Sequence, residues 1–181
     1  MLLTYEADLN RCEENGWSPL LAASNFNHKA LVEYLCDHSD ALVNIFNKEG
    51  ETPLYIACEN DNVDLVKILL KHGAAINNGD ENGFTPFHFS CSECNSNMVE
   101  LFIQENATVY LADRSGRTPL YIACQSRSKD VVEILMEHGG EVNKAAQIDS
   151  DEGWTPLHVS SASGSTDIAE LLLQKKQKCS R

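Results

Sequence analysis

The stretch ETPLYIAC, Glu51–Cys58, returns almost unchanged as RTPLYIAC, Arg117–Cys124. Working outward from these two copies, the chain has five prolines, Pro19, Pro53, Pro86, Pro119 and Pro156, spaced 34, 33, 33 and 37 residues apart. Each follows Thr or Ser and precedes Leu or Phe, and a glycine stands three residues before each, at Gly16, Gly50, Gly83, Gly116 and Gly153. A fixed period of this length means that one supersecondary unit is repeated along the chain.

The physics of one unit is legible around Pro53. Thr52 is suited to cap a helix, because its hydroxyl can accept from an orphan N–H of the first turn. Pro53 fits the first helical position, where an N–H would have no partner, and it pushes Thr52 toward the extended backbone that a cap needs. A short helix, PLYIACEN, therefore opens at Thr52-Pro53 and ends near Asp61-Asn62, residues that tolerate a left-handed turn. A second helix, VDLVKILLKH, carries Val63, Leu65, Val66, Ile68, Leu69 and Leu70 at helical spacing. Asp64 lies near its positive end, Lys71 and His72 near its negative end, and Gly73 can close it with a left-handed cap. Between helix pairs, AAINNGDENG ends in Asn82-Gly83, a strong hairpin signal. Neither helix of a pair can bury its apolar face alone, so neighbouring pairs must stack.

The pattern D-x-x-G-x-T-P-L-H-x-A-A, followed by a turn and a helix ending L-L-x-x-G-A-x-V-N, resembles the ankyrin-repeat family. Here it reads DENGFTPFHFSC, DRSGRTPLYIAC, DEGWTPLHVSS and LLKHGAAIN. The resemblance spans essentially the whole chain. It implies an all-α repeat, a solenoid of stacked helix-turn-helix pairs with β-hairpin fingers projecting at right angles. The expected organisation is one array over 1–181. Residues 1–12 form the tail of an incomplete preceding repeat, followed by repeats at 13–46, 47–79, 80–112, 113–149 with a long finger loop, and 150–181.

Departures from the pattern carry information. LLTYEADLN aligns without gaps on LLKHGAAIN, so Leu2 and Leu3 read as the end of a helix whose start is missing, with Glu6 in place of the capping glycine. The first repeat has one extra residue near Ser39 and Asp40, and the last finger is four residues longer, within KAAQIDSDEG. Insertions in a solenoid map to loops, where a partner contact and a merely tolerated loop are both open readings. The terminal KKQKCSR is a basic end suited to a last unit.

Lys and Arg total 14 against 27 Asp and Glu, a formal charge of -13. Most of the excess falls in residues 1–100, with sixteen acids and five bases. Such a surface repels phosphate backbones, which disfavours nucleic acid, and attracts basic protein segments with a strength that falls as salt rises. No run approaches the length of a membrane span and the start lacks a signal-peptide layout. Seven cysteines without regular pairing intervals point to reduced thiols. The chain is expected to be an intracellular monomer, cytoplasmic or nuclear, without membrane insertion. The sequon at Asn106 is then a chance match.

Nothing in the pattern is catalytic, and no cofactor or metal is expected. No phosphate-cradling glycine loop, zinc-binding H-E-x-x-H or nucleophile elbow is present. His88 and His158 occupy the TPLH slot, His38, His72 and His138 precede the cap of the second helix, and His28 sits in the turn between helices. CSEC, Cys91–Cys94, invites a redox or zinc reading. Against it, Cys58, Cys91 and Cys124 share one register position, held by Ser24 and Ser161 in the outer repeats, where a small side chain packs between helices. Cys94 takes the interhelix turn position of Asn27, Asp61 and Gly164.

The resemblance implies a partner protein lying on the concave face made by fingertips and the exposed side of the first helices. The slot after the finger glycine holds Trp17, Glu51, Phe84, Arg117 and Trp154, an interface-like composition that could equally pack on neighbouring fingers. Phe26 extends the face. Lys48, Glu49, Asp80, Glu81, Arg114, Asp151 and Glu152 add charge at the tips, and Glu59, Glu93 and Gln125 complete the set at the ends of the first helices. The expected partner segment has basic residues flanking apolar anchors. Two alternatives stand beside a noncatalytic scaffold: a targeting module of a larger enzyme or effector, and the substrate of an asparaginyl hydroxylase acting at Asn143 or Asn10.

Overall fold

The computed structural model describes residues 8–38, 42–147 and 153–178. The expectations for Leu2, Leu3, Glu6, Ser39, Asp40, Asp151 and Glu152 lie outside these residues. The chain divides into two compact units, Met1–Ala75 and Ile76–Arg181.

Among its described residues unit 1 contains two helix pairs, α1 (Pro19–Asn25) with α2 (Lys29–His38) and α3 (Pro53–Glu59) with α4 (Val63–Lys71), and a 3-10 turn at Leu42–Asn44. Unit 2 contains three, α5 (Pro86–Ser92) with α6 (Ser96–Gln104), α7 (Pro119–Gln125) with α8 (Lys129–Glu137), and α9 (Pro156–Ala162) with α10 (Thr166–Lys178). All five prolines open a helix, as the Thr-Pro and Ser-Pro steps predict. Thr52 has the extended backbone of a cap (φ -92, ψ 164) and its hydroxyl accepts from Tyr55 N–H at 3.2 Å. Ser18 and Thr118 do the same for Leu21 and Tyr121.

Each pair is closed by one residue in the left-handed region. Asn27, Asp61, Cys94, Arg127 and Gly164 all have φ between 52 and 70. The next amide then turns back to the first helix, as Asn62 N–H does to Ala57 C=O. Asn62 also caps α4 through Leu65 N–H, Asp64 sits in that helix's first turn and Lys71 in its last, and Gly73 (φ +84) follows its C-cap. Within unit 1 the pairs stack α1 on α3 and α2 on α4. Within unit 2, α5, α7 and α9 stack in turn, as do α6, α8 and α10. Leu21, Leu65 and Leu69 are fully buried in unit 1, and Phe102, Leu120 and Leu135 in unit 2. Burying each such side chain contributes roughly 1.5–3 kcal/mol relative to leaving it in water.

Side-chain amides add register between pairs. In unit 1, Asn60 Nδ2 donates to Asn25 C=O at 3.1 Å and Asn62 Nδ2 to Asn27 Oδ1 at 2.8 Å. In unit 2, Asn77 Oδ1 accepts from Thr108 N–H at 2.9 Å. The small-residue position is buried, as its spacing implies, at Ser24, Cys58, Cys91 and Cys124, but Ser161 in α9 departs from the expectation and is exposed.

Among the described residues no segment forms a strand. The fingers are hairpin tips without ladders. At Asp80–Phe84, Gly83 N–H donates to Asp80 C=O at 2.9 Å and Asp80 N–H to Phe84 C=O at 3.0 Å, with Gly83 at φ +74. This is the bulged turn of a short hairpin, with arms too short to extend the pairing. No described helix is long and apolar enough to cross a membrane.

Candidate functional site

Each fingertip is built around the residue three before its glycine. Asp80 Oδ1 accepts from the N–H groups of Asn82 and Phe84, both at 2.8 Å, and Asp113 Oδ1 accepts from Ser115 at 2.9 Å and Arg117 at 2.8 Å. Asn47 fills the same role with Glu49 and Glu51. The last finger differs: Ala146 N–H donates to Trp154 C=O and Gly153 N–H to Ala146 C=O, so alanine holds the turn position and the four extra residues lie between Ala146 and Gly153. This buttress was missed by sequence reasoning, which read Asp80 only as a contact residue. Its signal is the D-x-x-G step itself, because a carboxylate there reaches two amides of its own turn.

In unit 1, Trp17 is half-buried and lines an open groove of about 770 Å³ with Asp8, Arg11, Glu13, Glu14 and Ala22. Lys48 and Glu49 project into solvent from the next tip, and Lys48 N–H is tied to Asn15 C=O. Glu51 is half-buried and accepts from Asn47 Nδ2 at 2.7 Å. Glu59, exposed at the end of α3, has its carboxyl held above the ordinary range, first by partial burial and then by the charge of Glu51. Phe26, at the C-cap of α1, is 70% exposed and stacks on His28.

In unit 2, Phe84, Arg117 and Asp113 form a cluster. Arg117 Nε donates to the buried Asp113 carboxylate at 2.6 Å, its guanidinium lies 5.9 Å from the centre of the Phe84 ring, and that ring stacks on His88. Phe84 and Arg117 therefore pack together as well as face outward, both being half-buried. His88 is fully buried. Its Nδ1 accepts from Thr85 N–H and its Nε2–H donates to Arg117 C=O, a capping box joined to the next finger. Burial outweighs the neighbouring carboxylate of Asp113 and pushes the imidazole below its usual value. Trp154 is half-buried against His158. Glu81, Glu93, Arg114 and Gln125 are exposed, Arg114 with its N–H on Asn82 C=O.

CSEC does not make a site. Cys91 is buried and desolvation pushes its thiol far above the ordinary value, while Cys94 is exposed in the left-handed turn and points its thiol at Ser126 C=O. Among the described residues no cluster of three or more His, Cys, Asp or Glu is placed to hold a metal.

The family model described as ankyrin repeats (3 copies) matches residues 1–80, 76–146 and 116–181. Among curated proteins, the chain is 38% identical over 81 residues to alpha-latrocrustotoxin-Lt1a of Latrodectus tredecimguttatus, covering 44% of this chain and 6% of the toxin. It is 36% identical over 72 residues to SMC5-SMC6 complex localization factor protein 1 of Homo sapiens, covering 38% of this chain and 6% of that protein. It is 36% identical over 75 residues to I-Kappa-B like protein F2 of Microplitis demolitor bracovirus, covering 40% of this chain and 44% of the relative. The matched stretches thus span less than half of each relative's length.

Proposed function

The chain belongs to the ankyrin-repeat family, whose members are in general noncatalytic protein–protein interaction modules, and on that premise we propose that it holds a partner protein through its fingertips and the exposed ends of its first helices. The observation that carries the chemistry of the partner is the pairing of Glu51 with Glu59. Partial burial, and after it the charge of the fingertip carboxylate Glu51, raise the cost of ionising the helix-end carboxyl of Glu59. A Lys or Arg side chain inserted there relieves that repulsion at once. Trp17, in its acid-lined groove, supplies a nearby aromatic anchor. Phe84 with Arg117, and Trp154, offer the corresponding aromatic positions in unit 2. The partner segment is thus basic with apolar anchors.

Affinity capture from native cells, comparing wild type with Trp17→Ala/Trp154→Ala and with Glu51→Gln/Glu59→Gln at two salt concentrations, tests this reading. Each tryptophan is expected to contribute about 2 kcal/mol to binding, and the glutamine pair should erase most of the salt dependence. A partner retained equally by both folded variants would show that other surfaces bind it. A second reading follows from the lengths of the relatives, of which two are matched over only 6%. In that reading the array delivers a longer polypeptide's activity to its target, and the full reading frame decides it.

A further inference from the structure

The sequence contains three Asn-Gly steps, Asn15-Gly16, Asn78-Gly79 and Asn82-Gly83. A step of this kind can react with itself. Because glycine has no Cβ, its amide nitrogen approaches the side-chain carbonyl of the preceding asparagine without the steric opposition that other residues offer. How firmly the surrounding backbone is held decides whether it does so.

Two of the three steps are held at both ends. Gly16 N–H donates to Glu13 C=O and Gly83 N–H to Asp80 C=O, each at 2.9 Å. The asparagine carbonyls accept from the next finger, Asn15 from Lys48 N–H at 3.0 Å and Asn82 from Arg114 N–H at 2.9 Å. Side-chain carboxylates tighten both turns, Glu13 Oε1 accepting from Asn15 N–H at 2.9 Å and Asp80 Oδ1 from Asn82 N–H at 2.8 Å. A glycine nitrogen committed in this way cannot swing onto its neighbour unless the turn opens first.

Asn78-Gly79 is different. It lies in the arm that leads into the Asp80–Phe84 turn, and Asn78 is exposed. Among the described residues neither the Asn78 side chain, the Asn78 carbonyl nor the Gly79 N–H takes part in a hydrogen bond. Yet the fold requires glycine there. A Cβ at position 79 would lie 2.6 Å from the carbonyl carbon of Gly83 and 2.8 Å from its oxygen, so any side chain would force the two stretches of backbone apart. The close approach that excludes a side chain thus leaves Asn78 next to the one residue type that attacks it readily.

We infer that Asn78 is a site at which the native chain modifies itself, by deamidation through a cyclic imide. The Gly79 nitrogen bonds to Asn78 Cγ and gives up its proton, and the side-chain nitrogen leaves as ammonia. Water then opens the ring. Cleavage of the new bond between Cγ and the Gly79 nitrogen gives aspartate. Cleavage of the original bond from the Asn78 carbonyl carbon gives isoaspartate, whose main chain runs through Cγ and is one methylene longer. Nothing is oxidised or reduced, and water is the only co-reactant. Either product adds a negative charge two residues before Asp80, and the isoaspartyl form also lengthens the arm where Gly79 lies against Gly83.

Peptide mapping by mass spectrometry on the intact chain, aged at neutral pH in native buffer and in parallel in urea, tests this without any variant. In native buffer Asn78 should convert about tenfold faster than Asn15 and Asn82, the equivalent of roughly 1.4 kcal/mol of protection by their turns. In urea the three rates should converge, because no turn guards any of them. The products should include both aspartyl and isoaspartyl peptides; aspartate alone would mean direct hydrolysis and rule out the imide. Native conversion of Asn15 or Asn82 at the rate of Asn78, or an Asn78 that stays intact while the unfolded chain reacts, overturns the inference. So does an equal preference for Asn78 in urea, which would trace the difference to neighbouring residues instead of the fold.

Discussion

Removing the Asp113 carboxylate should cost unit 2 about 3.5 kcal/mol, most of it from the turn and little from the ion pair. Its Oδ1 accepts two backbone N–H groups, from Ser115 and Arg117, and hydrogen bonds to a charged acceptor contribute about 1.5–3 kcal/mol each. Ser115 and Arg117 are half-buried, so water recovers part of the loss in Asp113→Ala and the lower end, about 1.5 kcal/mol per bond, applies. The Arg117 guanidinium is 28% exposed, and its pairing adds about 0.5 kcal/mol after screening. Asp113→Asn keeps the Oδ1 acceptor, as Asn47 does in its own finger, and should cost only about 1 kcal/mol. Glu81→Ala, at an exposed tip, should stay within about 0.5 kcal/mol. Urea unfolding followed by both circular dichroism and tryptophan fluorescence reads these values and reveals any repeat that melts separately. The reasoning fails if Asp113→Ala matches wild type, or if the asparagine variant is as damaged as the alanine.

Stability should also depend on pH through His88. Its folded value is depressed by burial, so the unfolded chain takes up the proton first. The contribution is complete above the unfolded imidazole value of about 6.5 and is lost as pH falls toward the folded value, at up to about 1.4 kcal/mol per pH unit. His88→Tyr, the residue its slot holds at Tyr55 and Tyr121, should flatten that slope, and an unchanged slope would assign the dependence elsewhere. Thiol labelling should separate the cysteines. Cys12 and Cys94 are exposed, whereas Cys91 is buried and Cys124 is buried with its thiol pushed up to about 11. Mass mapping at pH 8 should find the first two modified in the native protein and the latter two only after unfolding; prompt native labelling of Cys91 would contradict the packing described.

Much of this fold can be read from one unit of sequence, because the forces that make a helix pair are local. Thr52 with Pro53, Asp61 in its left-handed turn and Gly73 after α4 each act within a few residues of themselves. The position of Cys94 in an interhelix turn was legible for the same reason, through its alignment with Asn27 and Asp61. Less visible was what depends on a neighbour. Leu31 and Leu65 look alike in a helical pattern, yet one is covered and the other is not, since burial is decided by the adjacent pair. Asp80 read as a surface acid, but its short side chain, like that of Asp113, bends back onto the amides of its own turn. Phe84 and Arg117 are joined by a contact between successive fingers that residue types alone leave open. Of the candidate surface, composition and spacing located the positions; three-dimensional packing showed which atoms are already engaged.

The most direct measurement is hydrogen exchange across the chain with and without its captured partner. Protection confined to the tips at 13–17, 47–51, 80–84 and 113–117, to Trp154, and to the ends of α1, α3, α5 and α7 is the predicted result. Protection instead along the second helices α4 and α8, with the tips unchanged, would contradict the claim that the fingers do the holding.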